Sequence, residues 1–230
     1  TEDGHGRNIA IGHNALKVQD AGQDAYNVAI GYETGKAVTT GTENVLIGGI
    51  AGDALTTGVN NVAVGHSALG QEDTGNYNTA IGHKALATLN YDGDGYNTAI
   101  GYRSGVAMTT GIQNTLIGGL AGDALTEGKN NIAIGYSALT AETQGERNVA
   151  IGIFALGNQN NTSDVDAYNV AVGYNAGYAV TTGVDNVLIG GLAGDAITTG
   201  NYNIAIGKSA LSTEDGHGRN IAIGHNALKV

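Results

Sequence analysis

The apolar residues of this chain recur in one short phrase instead of gathering in long runs. Asn comes first, then a β-branched residue, a small or apolar residue, Ile or Val, and Gly. The phrase begins at Asn8, Asn27, Asn44, Asn61, Asn78, Asn97, Asn114, Asn131, Asn148, Asn169, Asn186, Asn203 and Asn220. It closes on Gly12, Gly31, Gly48, Gly65, Gly82, Gly101, Gly118, Gly135, Gly152, Gly173, Gly190, Gly207 and Gly224. The shortest interval between starts, as from Asn27 to Asn44, is also much the commonest, and a longer one comes only at every fourth step. Such a fixed period is the mark of a repeat architecture. Within each phrase the three residues between Asn and Gly alternate as a short strand does, positions 2 and 4 on one face and position 3 on the other. Gly then lets the chain turn. A period of 3.6 residues is missing, so no helix is expected.

A slower period rides on the first. Four places after each closing Gly stands Leu or Gly in fixed order: Leu16, Gly35, Gly52, Leu69, then Leu86, Gly105, Gly122, Leu139, then Leu156, Gly177, Gly194, Leu211, then Leu228. Four phrases therefore make a super-repeat, with spans 8–77, 78–147 and 148–219. The string at 1–18 recurs identically at 213–230, which reads as the start of the next block of a tandem array. The expected organisation is a single continuous solenoid over 1–230, a piece of something longer.

A unit this short cannot bury its own apolar stripe, so each coil must stack on the next. The expected fold is all-β, a parallel β-solenoid of about 13 coils. At a strand spacing of about 4.8 Å it would run roughly 60 Å. Stacking in register places the 13 Asn side chains in one column, a ladder passing hydrogen bonds from coil to coil. The β-branched positions 2 and 4 are expected to fill the interior. Position 3 is then expected to face outward, as a strip of Ala suited to close approach of another chain. Leu46, Leu116 and Leu188 stand at position 3 in every fourth coil and are expected to be knobs at that inter-chain contact. The implied partner is a second copy of the chain in a parallel homo-oligomer, with a homotrimer as the expected arrangement.

Composition narrows the partners. With 10 basic and 21 acidic residues the net charge is −11, which disfavours nucleic acid and anionic membranes, since phosphate binding needs clustered Lys and Arg. No apolar run reaches the length of a membrane span, so direct insertion is not expected. Thirty-nine Gly with no Pro exclude a collagen helix. Absence of Cys leaves stabilisation to something other than disulfides.

Strings such as NIAIGHNAL, NTAIGHKAL and NVAVGYNAG resemble the head repeats of trimeric autotransporter adhesins. The TTG-x-x-N-x-x-IG wording of Thr39 to Gly48 and Thr181 to Gly190 resembles tail-fibre repeats of bacteria, phages and large viruses. The first resemblance implies a left-handed β-roll assembled as a trimer. Both place the chain outside the cell or on a virion surface. The period here is slightly longer than in adhesin heads, and no coiled-coil stalk, membrane anchor or chaperone domain is seen.

Candidate chemistry is sparse. GGIAGDAL, GGLAGDAL and GGLAGDAI resemble the calcium-binding nonapeptide, with Ala in place of its third Gly. Their Asp53, Asp123 and Asp195 recur only every fourth coil, too far apart to share an ion that takes six to eight oxygens. Asp92 and Asp94 are denser but lie in one loop. These five are weak calcium candidates, and otherwise no metal or cofactor is expected. His13, His66, His83 and His225 follow the closing Gly, where other coils carry Tyr; the expected result is a surface column able to touch a glycan or a cell-surface receptor. No catalytic constellation is present, so the chain is not expected to be an enzyme. The function expected is a structural segment of an extracellular filament or fibrous adhesin. A phage or virus tail-fibre shaft is the alternative. An ice-binding solenoid, suggested by Thr39-Thr40 over Thr56-Thr57, is a second one.

Overall fold

The structure, a computed structural model, describes residues 6–213 and 216–229. Residues 1–5, 214, 215 and 230, which belong to the twice-occurring terminal string, lie outside the described residues. The described chain contains no helix and 13 three-residue strands. These are β1 (Ile9–Ile11), β2 (Val28–Ile30), β3 (Val45–Ile47), β4 (Val62–Val64), β5 (Thr79–Ile81), β6 (Thr98–Ile100), β7 (Thr115–Ile117), β8 (Ile132–Ile134), β9 (Val149–Ile151), β10 (Val170–Val172), β11 (Val187–Ile189), β12 (Ile204–Ile206) and β13 (Ile221–Ile223). The chain divides after Gln113 into two compact units, with β1 to β6 in the first and β7 to β13 in the second. Within each unit every strand pairs in parallel with the next in sequence, like over like: Val45 lies over Val62, Leu46 over Ala63 and Ile47 over Val64. Each unit is thus a parallel β-solenoid, one coil per Asn-to-Asn segment.

The faces of the strands are the reverse of the sequence expectation. From Ala29 to Ala222 every central strand residue is buried, and the flanking β-branched residues are half-buried or exposed. Leu46, Leu116 and Leu188 are fully buried inside the coil, so they are core residues and not inter-chain knobs. The physical reason is the narrowness of so short a coil. Each three-residue strand can turn only its central side chain, Ala or Leu, into so narrow an interior, and the two flanking residues are left outside.

That narrowness explains the four-coil period. The residue four places after the closing Gly points across the interior toward the strand centre, in left-handed backbone: φ is 52° at Leu69 and +53° at Gly52. In the first and fourth coils Leu fills the space opposite Ala. In the second and third coils Gly leaves it empty, and the single Leu of the third strand fills it for both. A Cβ on Gly52 would lie 2.9 Å from Leu46 Cδ2, and one on Gly35 would lie 2.7 Å from Leu46 Cδ1. Gly122 faces Leu116 in the same way at 2.9 Å, and Gly177 and Gly194 both face Leu188 at 2.6 Å. In the second and third coils one Leu between two Gly thus stands where the first and fourth coils each set a Leu opposite an Ala.

A second interior column runs through the later half of each coil, at the same place relative to every ladder Asn. Gln19, Val38, Leu55, Glu72, Leu89, Met108, Leu125, Glu142, Gln159, Val180 and Ile197 are all buried there. Its two described acidic members, Glu72 and Glu142, close the first and second super-repeats. Glu142 accepts hydrogen bonds from the backbone N–H of Thr143 (2.9 Å), Gly145 (2.8 Å) and Asn161 (2.9 Å), and from Gln159 Nε2 (2.9 Å). Glu72 accepts from the N–H of Gly75 (2.7 Å) and Tyr91 (3.2 Å). The longer first coil of the following super-repeat is thereby tied to the carboxylate beneath it.

Candidate functional site: the ladder and the outward columns

The Asn column is a continuous hydrogen-bonded ladder within each unit. Asn44 N–H donates to Asn27 Oδ1 (2.9 Å), Asn61 N–H to Asn44 Oδ1 (2.9 Å) and Asn78 N–H to Asn61 Oδ1 (2.9 Å). In the second unit Asn131, Asn148, Asn186, Asn203 and Asn220 donate likewise at 2.9–3.0 Å, and Asn169 at 3.3 Å. The side-chain nitrogen works in two directions. Asn61 Nδ2 donates to Asn44 Oδ1 (3.2 Å) and to the carbonyl of Gly75 (2.8 Å), where the coil comes round. Only a side chain with a carbonyl and an NH2 on one short stem does all of this. Asp lacks the donors and Ser lacks the second atom.

The closing Gly column is required by two constraints at once. At Gly65 φ is +134°, and a Cβ there would lie 2.5 Å from the carbonyl oxygen of Gly82 in the next coil. Coils stacked this closely leave no room for a side chain on the corner.

Three columns face outward. The residue after the closing Gly carries the rings: His13 stacks on Tyr32 (centroids 5.5 Å), His66 on His83 (5.6 Å) and His83 on Tyr102 (5.5 Å), with interplanar angles of 10–16°. Among the described residues no three His, Cys, Asp or Glu side chains gather where they could hold a metal ion. The second column, directly before each Asn, is one that reading the sequence misses. There Tyr77 stacks on Tyr96 at 5.0 Å and 3°. Arg7 lies over Tyr26, Arg147 over Tyr168 and Arg219 over Tyr202, each at 5.7 Å. Its signal is present in the sequence, since the place before the phrase is Arg or Tyr in eight of 13 coils. The third is the pair of Ile and Val columns on the strands, in which none of the 26 positions (two in each of 13 strands) is charged.

The five acidic candidates are spent on neighbours in the same solenoid or stand apart. Asp53 is 3.3 Å from Lys36 Nζ on the preceding coil, and Lys36 also pairs with Glu33 at 2.9 Å. Those contacts raise the Lys36 ammonium above its ordinary value, the Glu33 hydrogen bond contributing most. Asp123 accepts from the Thr140 hydroxyl. Asp195 is pushed up chiefly by burial. Asp92 accepts from Thr74 Oγ1 (2.7 Å) and Asp94 from Asn76 Nδ2 (3.1 Å). No calcium cage is assembled by these residues. The Thr pairs are partly engaged as well: Thr39, Thr56 and Thr181 each turn their hydroxyl onto a carbonyl of the next coil at 2.9–3.2 Å, as does Thr126, which has no Thr beside it in the sequence, at 3.0 Å.

No helix among the described residues is long and apolar enough to cross a membrane. No protein-family model matches the chain, and neither a curated protein nor a solved structure does.

Proposed function

We propose that this chain is a structural segment of an extracellular surface filament or fibrous adhesin, a spacer whose outer columns make repeated, individually weak contacts. The observation that carries the reading is the division of labour between interior and surface. The ladder Asn, corner Gly and buried strand centres recur coil after coil, while the outward positions vary among His, Tyr, Arg, Lys and Ile. A solenoid of this kind gains length by adding coils without redesigning its core, and repeated faces gain avidity through multivalency.

Self-association belongs to this reading, now through the Ile and Val columns instead of the buried Ala and Leu. The occupant of that face is a second copy of the chain. Its columns are uncharged in every coil, and only another solenoid with the same rise matches a ridge pattern of about 4.8 Å over many coils. Seven strands offer roughly 300 Å² of such a face, below the roughly 800 Å² per partner of a standard interface. Association therefore strengthens with the number of coils, and the trimer implied by the adhesin resemblance forms around this face.

The test is where the protein sits. Antibodies raised against the chain are expected to label intact, unpermeabilised cells of the source organism. Labelling confined to virus particles would establish the tail-fibre alternative, and labelling seen only after cells are broken open would overturn both.

A further inference from the structure

A groove of about 320 Å³ opens on the first unit, bordered by Ile50, Asp53, Gln71, Lys84, Ala87 and Val106; it lies at the small end of ligand-site volumes. The corresponding place one super-repeat further along the sequence carries bulkier side chains. Thr140 stands where the first has Gly70, Phe154 where it has Lys84, and Tyr178 where it has Val106. The Thr140 hydroxyl donates to Asp123, and the Phe154 ring packs edge-on against Tyr178 at 6.1 Å. At Gly70 nothing takes the place of that hydroxyl: a Cβ there would be 3.7 Å from Asp53 Oδ1, the oxygen that Lys36 does not hold.

We propose that this groove binds a carboxylated, hydroxylated ring, such as a uronic-acid unit of a glycan. Asp53 Oδ1 accepts a ligand hydroxyl in place of the threonine hydroxyl that Asp123 receives. Ile50, Ala87 and Val106 supply an apolar wall for the C–H face of the ring. Lys84 meets the carboxylate; it is exposed and has no ion-pair partner among the described residues. Arg103 occupies the same column one coil on and is likewise exposed and without an ion pair among the described residues. Two free cations on adjacent coils are a local exception in a chain of net charge −11, and a charge-assisted hydrogen bond is the stronger kind. The site stands or falls independently of the filament role.

Titration of the 15N-labelled chain with D-glucuronate tests it. Saturable shifts are expected at the amides of Gly70, Gln71, Lys84 and Ala87. D-Glucose, which lacks the carboxylate, and cyclohexanecarboxylate, which lacks the hydroxyls, should each bind about tenfold or more weakly, the size of one lost charged or polar contact. Gly70→Thr should abolish the shifts, with the Asn amides of the ladder unmoved, because Thr140 already occupies the equivalent position. Should that variant disturb the ladder, Lys84→Gln applies the same criterion without adding bulk. The reciprocal change, Thr140→Gly with Phe154→Lys and Tyr178→Val, should create a second site. Absence of shifts with glucuronate, shifts that survive both Gly70→Thr and Lys84→Gln, or equal binding of glucose would overturn the proposal.

Discussion

A single ladder Asn in this fold has four obligations, three on its side chain and one on its backbone N–H, and its position is intolerant for that reason. Asn61 takes an N–H from Asn78, gives to Asn44 Oδ1 and to the Gly75 carbonyl, and carries its own backbone N–H to Asn44. Asn61→Asp keeps the acceptor but loses both side-chain donors and buries a charge beside two acceptors. Thermal or urea unfolding is expected to show a loss of at least about 2 kcal/mol at neutral pH, from unsatisfied buried groups and an unpaired charge. Part of it should return as pH falls and the new carboxyl protonates. The same substitution at exposed Asn158 should cost little. The ladder is legible in the sequence because no other side chain fits these obligations, so the column shows Asn 13 times without variation. The facing of the strand is not legible. Ile-Ala-Ile alternates equally well with either face inward, and what decides is the width of the coil, a property of the closed turn and not of the strand's own side chains.

At the level of the coil, core volume is shared between neighbours, and this sharing is measurable. Leu46→Ala should destabilise the chain by about 2–5 kcal/mol, as buried Leu truncations do, and should do so without dependence on protein concentration, since the residue is buried within its own coil. Gly52→Leu alone should also destabilise, because its side chain would enter the space of Leu46. The double variant reproduces the Ala63–Leu69 arrangement of the fourth coil and should recover part of the loss, with a coupling of roughly 0.5–3 kcal/mol. Additive losses would contradict the shared-volume explanation of the four-coil period. That period is visible in the sequence as an alternation of Leu and Gly; its cause needs the two Gly and the Leu brought together across the coil. The second interior column, from Gln19 to Ile197, is not legible because it mixes Leu, Val, Met, Gln and Glu, and no compositional rule unites an apolar position with a buried carboxylate.

The buried Glu72 carboxyl adds a pH dependence at the joint between the first two super-repeats. Burial raises Glu72 above the usual glutamate range, and the N–H groups of Tyr91 and Gly75 pull it partly back. A carboxyl with a folded value above its unfolded one binds protons more readily when folded. Its contribution to stability is therefore most favourable at acid pH and declines as pH rises from the ordinary value through the raised one. Urea midpoints followed across that interval should show this slope in the native chain. Glu72→Leu, which copies Leu55 and Leu89 of the same column, should flatten it.

Over the whole molecule, the surface carries the consequences. An acidic chain with two uncharged β-branched columns should associate along those columns, while repulsion elsewhere limits random bundling. Sedimentation equilibrium is expected to show reversible oligomers that weaken when Ile47, Ile81 and Ile151 are replaced together by Lys; since these side chains are half-buried, a loss of stability of about 1 kcal/mol per site is expected with the solenoid still folded. A native chain that stays monomeric at the highest accessible concentration would remove the self-association proposal and leave the solenoid untouched.

Within each unit every Asn-to-Asn segment forms one coil, and the amide of each ladder Asn after the first is bonded to the side chain of the Asn one coil before. Through-hydrogen-bond scalar couplings between backbone 15N and side-chain 13Cγ read this contact directly. Cross-peaks are expected to link the amide of Asn44 to Cγ of Asn27, Asn61 to Asn44, Asn148 to Asn131 and Asn203 to Asn186. Ladder amides that exchange freely with solvent and show no such couplings, in a chain that is otherwise folded, would contradict this ladder.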